Sequence, residues 1–179
     1  MTKEVLILSS SARIGSNSEK IAESFLKGAQ DNGHHVELIR LANRSIGFCR
    51  GCLSCQKTKT CVVKDDMVEI LEKMKKADVI ALATPIYFYE MSGLLKTFLD
   101  RTNPLFRQTF KFRDIYFFAT AADNEEGTFD QAIAGLTGWI ECFPKTRLAK
   151  TIVVGGVTDI GDIERHPALK EAFLLGQNL

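Results

Sequence analysis

Four of the chain's five cysteines fall within thirteen residues, in the stretch CRGCLSCQKTKTC at positions 49–61. Thiolates at CxxCxxC spacing can converge on one face of an iron-sulfur cubane, with Cys61 placed to supply a fourth ligand. The run used by bacterial ferredoxins is not matched, because five residues separate Cys55 from Cys61 and Val62 follows instead of proline. Zinc is a second reading, although its structural sites usually come as two well-separated CxxC pairs. Unliganded or redox-switching thiols are a third, with Lys57 and Lys59 supplying charge that favours a thiolate. Cys49, Cys52, Cys55 and Cys61 are therefore candidate ligands of a 4Fe-4S cluster, with zinc or no metal as the alternatives. Cys142, beside Phe143 in a helical pattern, reads as a core residue.

A second stretch, SSSARIGSNSEK at 9–20, suits an anion. Ser9, Ser10, Ser11, Ser16, Asn17 and Ser18 offer hydroxyl or amide donors, Arg13 offers a charged fork, and a helix start adds free N–H groups. Capping alone would need only one of these residues. Neither GxGxxG nor GK[ST] is present, so dinucleotide and nucleoside triphosphate readings weaken. In ATPIYFYEMSGLLK at 83–96, Pro85 fixes a turn. Ile86, Tyr87, Phe88 and Tyr89 crowd apolar surface there against which a planar ring can lie, with packing under the next helix as the other reading of Phe88. The stretch ATAADNEEGT at 119–128 brings small residues, Thr120 and Ala121 first, that let backbone approach the polar edge of such a ring.

These stretches need elements to hold them. Short apolar runs alternate with amphipathic segments: VLIL at 5–8, a helix from Ser18 with Ile21, Phe25 and Ala29 on one stripe, then HVELIRL. DDMVEILEKMKKA, DVIALAT, SGLLKTFLDRT and DIYFFATA continue the alternation, followed by a helix at 129–141, TIVVGG and a closing helix at 166–175. Such alternation implies right-handed crossovers and a parallel sheet covered on both faces. The expected fold is an α/β three-layer sandwich, one flavodoxin-like domain over residues 1–179, with five parallel strands in the order 2-1-3-4-5. Ligands of such sheets bind outside the carboxyl ends of the strands, beside strand one. The irregular stretch at 42–64 is too long for an ordinary connection and is a functional candidate.

Composition narrows the classes further. Of 179 residues, 25% are charged, and the net charge of +1 gives no field that would recruit nucleic acid or acidic lipid. No apolar run approaches the roughly twenty residues of a membrane span. The start lacks a signal-peptide pattern. A cytoplasmic protein is expected, in a compartment that keeps thiols reduced. His34 and His35 read as exposed turn residues, His166 as structural, and Asp65 and Asp66 as helix caps. No Ser-His-Asp arrangement appears.

SSSARIGSNSEKI, the cysteine segment with VVKDDM, and ATPIYFYEMSGLLKTFLDR occur in the order seen in NADPH-dependent FMN reductase-like flavoproteins. The chain resembles that family over roughly its first 120 residues, and within it most resembles the iron-sulfur flavoproteins, whose compact cysteine motif has this spacing. The resemblance implies non-covalent FMN and redox chemistry with NAD(P)H or a ferredoxin-like donor. It puts Ser11, Arg13, Ser16, Asn17 and Ser18 on the phosphate loop, and Pro85, Ile86, Tyr87 and Phe88 on the flavin-ring loop. One departure is Ser10-Ser11-Ala12-Arg13, where the family often has Gly-Ser-Pro-Arg. The expected activity is hydride transfer from NAD(P)H to a small electron acceptor such as a quinone, an azo or nitro compound, or free flavin. One alternative is an electron relay through FMN and the cysteine cluster, and another is a flavin- or redox-sensing binding module. The resemblance also implies a homodimer or tetramer.

Overall fold

The computed structural model describes residues 1–106 and 108–179. Strand β1 (Glu4–Ser9) is followed by helix α1 (Asn17–Asp31), strand β2 (His35–Arg40), a 3-10 turn at Leu41–Asn43 and a short helix α2 (Ser54–Thr58) inside the cysteine segment. Then come α3 (Met67–Lys76), β3 (Val79–Tyr87), β4 (Glu90–Met91), α4 (Gly93–Asp100) and a 3-10 turn at Asn103–Leu105. β5 (Asp114–Thr120), α5 (Asp130–Glu141), β6 (Arg147–Val154) and α6 (Pro167–Gln177) complete the chain.

The five long strands are parallel and ordered β2-β1-β3-β5-β6. Counted by long strands alone, this is the expected flavodoxin-like order. Period-two alternation along the buried strands splits the core between the two faces. Leu6 and Leu8 of β1 join Ile80, Leu82 and Phe117 under α3, α4 and α5. Val5 and Ile7 join Val79, Ala81 and Phe118 under α1 and α6. On that second face, α1 and α6 touch backbone to backbone. A Cβ added at Gly28 would sit 1.9 Å from the Phe173 carbonyl oxygen, and one at Gly176 would sit 2.1 Å from that of Phe25, so only glycine permits this approach.

Two local features depart from the sequence reading. β3 does not stop at Thr84 but runs on to Tyr87, because its end folds back on β4 in a tight antiparallel hairpin, Ile86 opposite Met91 and Tyr87 opposite Glu90. The turn places Phe88 and Tyr89 at φ 52° and 65°, the left-handed region that non-glycine residues rarely enter. Phe88 is thereby thrown outward and fully exposed, which corrects its reading as a residue packed under the next helix. Cys142 is exposed at the end of α5 and not in the core, its thiol donating to the Gly138 carbonyl. His166 is structural as expected, capping α6 by accepting from the Ala168 N–H.

Candidate functional site

The carboxyl ends of β1, β3, β5 and β6 surround a pocket of about 140 Å³. Ser11, Arg13, Ser16 and Asn17 line it from the first loop, Pro85, Ile86 and Tyr87 from the third strand, and Thr120 and Ala121 from the fifth. Nine of the residues that the sequence offers for a cofactor thus meet in one place. Ser9, Ser18 and Phe88 are not on the lining. Ser9 is buried beneath the loop and donates to Glu19 Oε2, and Ser18 is buried with its hydroxyl 3.4 Å from that of Ser16.

The first loop is shaped from below. Glu19, completely buried in the first turn of α1, accepts from the Ser9 hydroxyl, the Gly15 N–H and Arg40 Nε. Gly15 has φ 68°, which suits glycine alone at low strain. Ser16 caps α1 by accepting from the Glu19 N–H, leaving the earlier amides of the first turn without intrahelical partners. Ser10 turns inward and serves structure: its hydroxyl donates to the Ala83 carbonyl and accepts from Ser92, the cap of α4, at 2.9 Å. The Ala121 N–H is also taken, donating to Val154 O at 3.0 Å.

The loop after β6 also lines the pocket, through Val157, Thr158 and Ile160, and the sequence reading did not include it. Arg13 Nη1 donates to the Thr158 carbonyl at 2.8 Å and Asn17 Nδ2 to the Asp159 carbonyl at 3.0 Å. Its signal was present: VTDIGD follows the last strand, and every loop at that end of the sheet is a candidate wall. Across the mouth, the Asp123 carboxylate lies against Tyr89, and its charge and hydrogen bond push the phenol above its ordinary value. A wider hollow of about 420 Å³, lined by Glu4, His34 and Lys76 among others, opens at the opposite ends of the strands, away from these groups.

Cys49, Cys52, Cys55 and Cys61 line a second, separate cavity with Arg50, Arg101, Asp100 and Asn103. No residue lines both cavities. All four thiols are free. Burial pushes the Cys55 thiol up, and Cys61, Cys49 and Cys52 add like-charge repulsion, so the four act on one another. Cys52 is lowered by hydrogen bonds from the Ser54 N–H and hydroxyl. Among the described residues no three His, Cys, Asp or Glu side chains are grouped to hold a single metal ion.

Asp65 is more than a cap. Its Oδ1 accepts from the Met67 N–H at the start of α3, and both oxygens take the fork of Arg101 at 2.6 and 2.8 Å. Burial opposes the Asp65 charge, but Arg101 and the Gly47 N–H hold the carboxyl below its usual value.

Residues 4–134 match the NADPH-dependent FMN reductase family. The chain is 31% identical to an iron-sulfur flavoprotein of Methanosarcina thermophila, over 90% of this chain and 82% of that protein. Further iron-sulfur flavoproteins, from Archaeoglobus fulgidus and Methanocaldococcus jannaschii, match at 34% and 37% identity over 57% of this chain, which spans 46% and 53% of their length. An NAD(P)H:quinone oxidoreductase from Methanothermobacter marburgensis shares the fold with a TM-score of 0.76 at 19% identity, covering 99% of this chain and 97% of that one. An FMN-dependent NADH-azoreductase from Bacillus anthracis, solved with FMN, does so with a TM-score of 0.74 at 18% identity and 99% coverage of each chain. No helix among the described residues is long and apolar enough to cross a membrane.

Proposed function

The chain belongs to the NADPH-dependent FMN reductase family and is an oxidoreductase, and from that premise we propose that it binds FMN at the strand-end pocket, takes hydride from NAD(P)H and reduces a small acceptor. The observation that carries this reading is the meeting of Ser11, Arg13, Ser16 and Asn17 with Pro85, Ile86 and Tyr87 around one pocket. FMN would supply the hydride and electron chemistry. The chain's own part is to bind and orient. Ser11, Ser16, Arg13 and the first-turn amides of α1 suit the phosphate end, while Pro85, Ile86 and Tyr87 offer apolar surface to the ring. The pocket is smaller than the 300–1,000 Å³ or so usual for whole ligands. A ring seated there would lie toward the open mouth, where Tyr87 and Phe88 are exposed. Ile14 and Ile160 are exposed too, and this apolar rim is the surface we assign to a second copy of the chain in a homodimer.

A second reading has its own observation. Four cysteines around one cavity, in a chain whose relatives include iron-sulfur flavoproteins, favour an electron relay in which Cys49, Cys52, Cys55 and Cys61 hold a 4Fe-4S cluster. As folded, the space among the thiols is about 20 Å³, room for about one water. A cluster would therefore need the segment to open between its fixed ends. Anaerobic stopped-flow mixing of the FMN-loaded protein with NADH or NADPH separates the readings. Bleaching of the flavin band within a turnover supports the reductase, and failure of both nucleotides to reduce it would sink that reading. Four irons per chain after anaerobic purification support the relay.

A further inference from the structure

We propose that Arg101 is the positioning residue of the four-cysteine site: one buried guanidinium ties the two ends of the cysteine loop together and keeps one N–H in reserve for the sulfur of Cys61 or of a bound cluster. The inference rests on the iron-sulfur reading of that loop.

Arg101 stands just past the end of α4, far from the cysteines in sequence, and only 1% of it is exposed. Nη1 donates to the Gly47 carbonyl and to Asp65 Oδ2, both at 2.6 Å. Nη2 donates to Asp65 Oδ1 at 2.8 Å and to the Val63 carbonyl at 3.3 Å. Gly47 lies before Cys49, while Val63 and Asp65 lie after Cys61. Beyond the fork, the Gly47 N–H donates to Asp65 Oδ2, the Ser45 N–H to Asp66 Oδ2, and the Asp66 N–H to the Ser45 carbonyl. The loop is thus closed at its base with no cysteine taking part.

Between those ends the chain has little of its own to hold it. Five residues of helix, entered through Leu53 and left through Lys59, both at positive φ, are its only regular structure. Closing a flexible loop costs entropy, and a clamp that closes it beforehand spares a metal that cost. The remaining donor supports the assignment. Nε of Arg101 is buried without a hydrogen-bond partner, an expense that folded proteins rarely carry. Arg101 nevertheless lines the cysteine cavity, and the Cys61 thiol stands beside its guanidinium. A cluster held by four thiolates is anionic, and the unpartnered Nε–H is a donor that its sulfurs can use while Asp65 holds the rest of the fork.

The test uses the full chain, loaded with FMN and reconstituted anaerobically with ferrous iron and sulfide. Arg101→Lys keeps the charge but loses the fork, and Arg101→Gln loses both. Each is expected to bind FMN at the wild-type ratio and to release iron to a chelator at roughly tenfold lower concentration than wild type, the scale seen when groups around metal ligands are changed. Iron loss is read from the cluster's own absorbance and its EPR signal after reduction. If Arg101→Lys resists the chelator as wild type does, positive charge suffices and the proposal is overturned. If wild type takes up no iron, the iron-sulfur reading fails and this proposal with it. Should both variants fail to fold, hydrogen exchange on the iron-free wild type decides. Protected amides at Gly47 and Asp66 support a loop closed before loading, and open-chain rates overturn it.

Discussion

The strand-end pocket takes its walls from four segments that each end or follow a parallel strand, whereas the cysteine cavity takes its walls mainly from one loop tied at its base to a single arginine. The first inherits its shape from the sheet: β1, β3 and β5 are fixed by core packing on both faces, so Ser11, Pro85 and Thr120 have little choice of position. The second has no sheet beneath it. Its geometry depends on Arg101 and Asp65, a pair whose interaction is strong only because both are withdrawn from water. One site should fail only with the whole fold, and the other should fail when one bond pattern is cut.

The largest expected effect tests that asymmetry directly. Asp65→Ala leaves a buried guanidinium without its partner, a change that costs about 3–5 kcal/mol when a buried pair is broken. Thermal unfolding should show the loss, while FMN titration of the folded fraction stays near wild type. A matching loss of FMN affinity would show the two regions to be coupled. Acid offers a graded version of the same cut. Because Asp65 is held low in the folded chain, the unfolded chain takes up its proton first as pH falls. Its contribution is complete above the unfolded value, about 4, and is lost as pH drops through the lower folded value. Protease nicking between residues 47 and 65 should rise below that point, before the far-UV signal of the sheet changes.

Smaller effects probe the pocket. Ser16→Ala removes the α1 cap and should cost about 1 kcal/mol of stability, together with a weaker FMN Kd, since the same turn faces the pocket. Stability lost with Kd unchanged would separate capping from binding. The smallest change has the opposite sign. Phe88→Gly relieves a left-handed conformation worth about 1 kcal/mol and exposes no core, so the melting temperature should rise slightly. Turnover that survives the substitution intact would deny Phe88 any part at the mouth.

The same contrast explains what could be read from sequence. VLIL, DVIALAT and DIYFFATA announce a doubly covered sheet through their composition, and the sheet then dictates which loops meet. That is why the Ser11–Arg13 and Pro85–Tyr87 segments were legible as one site. Phe88 was misplaced because nothing in IYFYEM signals a two-residue turn through positive φ; neither Phe nor Tyr is a turn residue, and the hairpin exists because β4 finds an edge to pair with. Asp65 looked like a cap because capping is a local property, while its partner lies 36 residues away. Spacing gave the cysteines' identity as candidate ligands. What draws them around one cavity is a long-range ion pair, and no local pattern carries that information.

The grip of Arg13 and Asn17 on the Thr158 and Asp159 carbonyls has a practical corollary. The N–H groups of Thr158 and Asp159 both donate to Asp162, so this short segment is fastened on two sides, once to its own turn and once to Arg13 and Asn17. An occupant drawing on Arg13 changes the tension on that fastening. If the proposed occupant draws on Arg13, amide exchange at Thr158 and Asp159 should change on adding FMN or inorganic phosphate, a readout that needs no colour from the ligand.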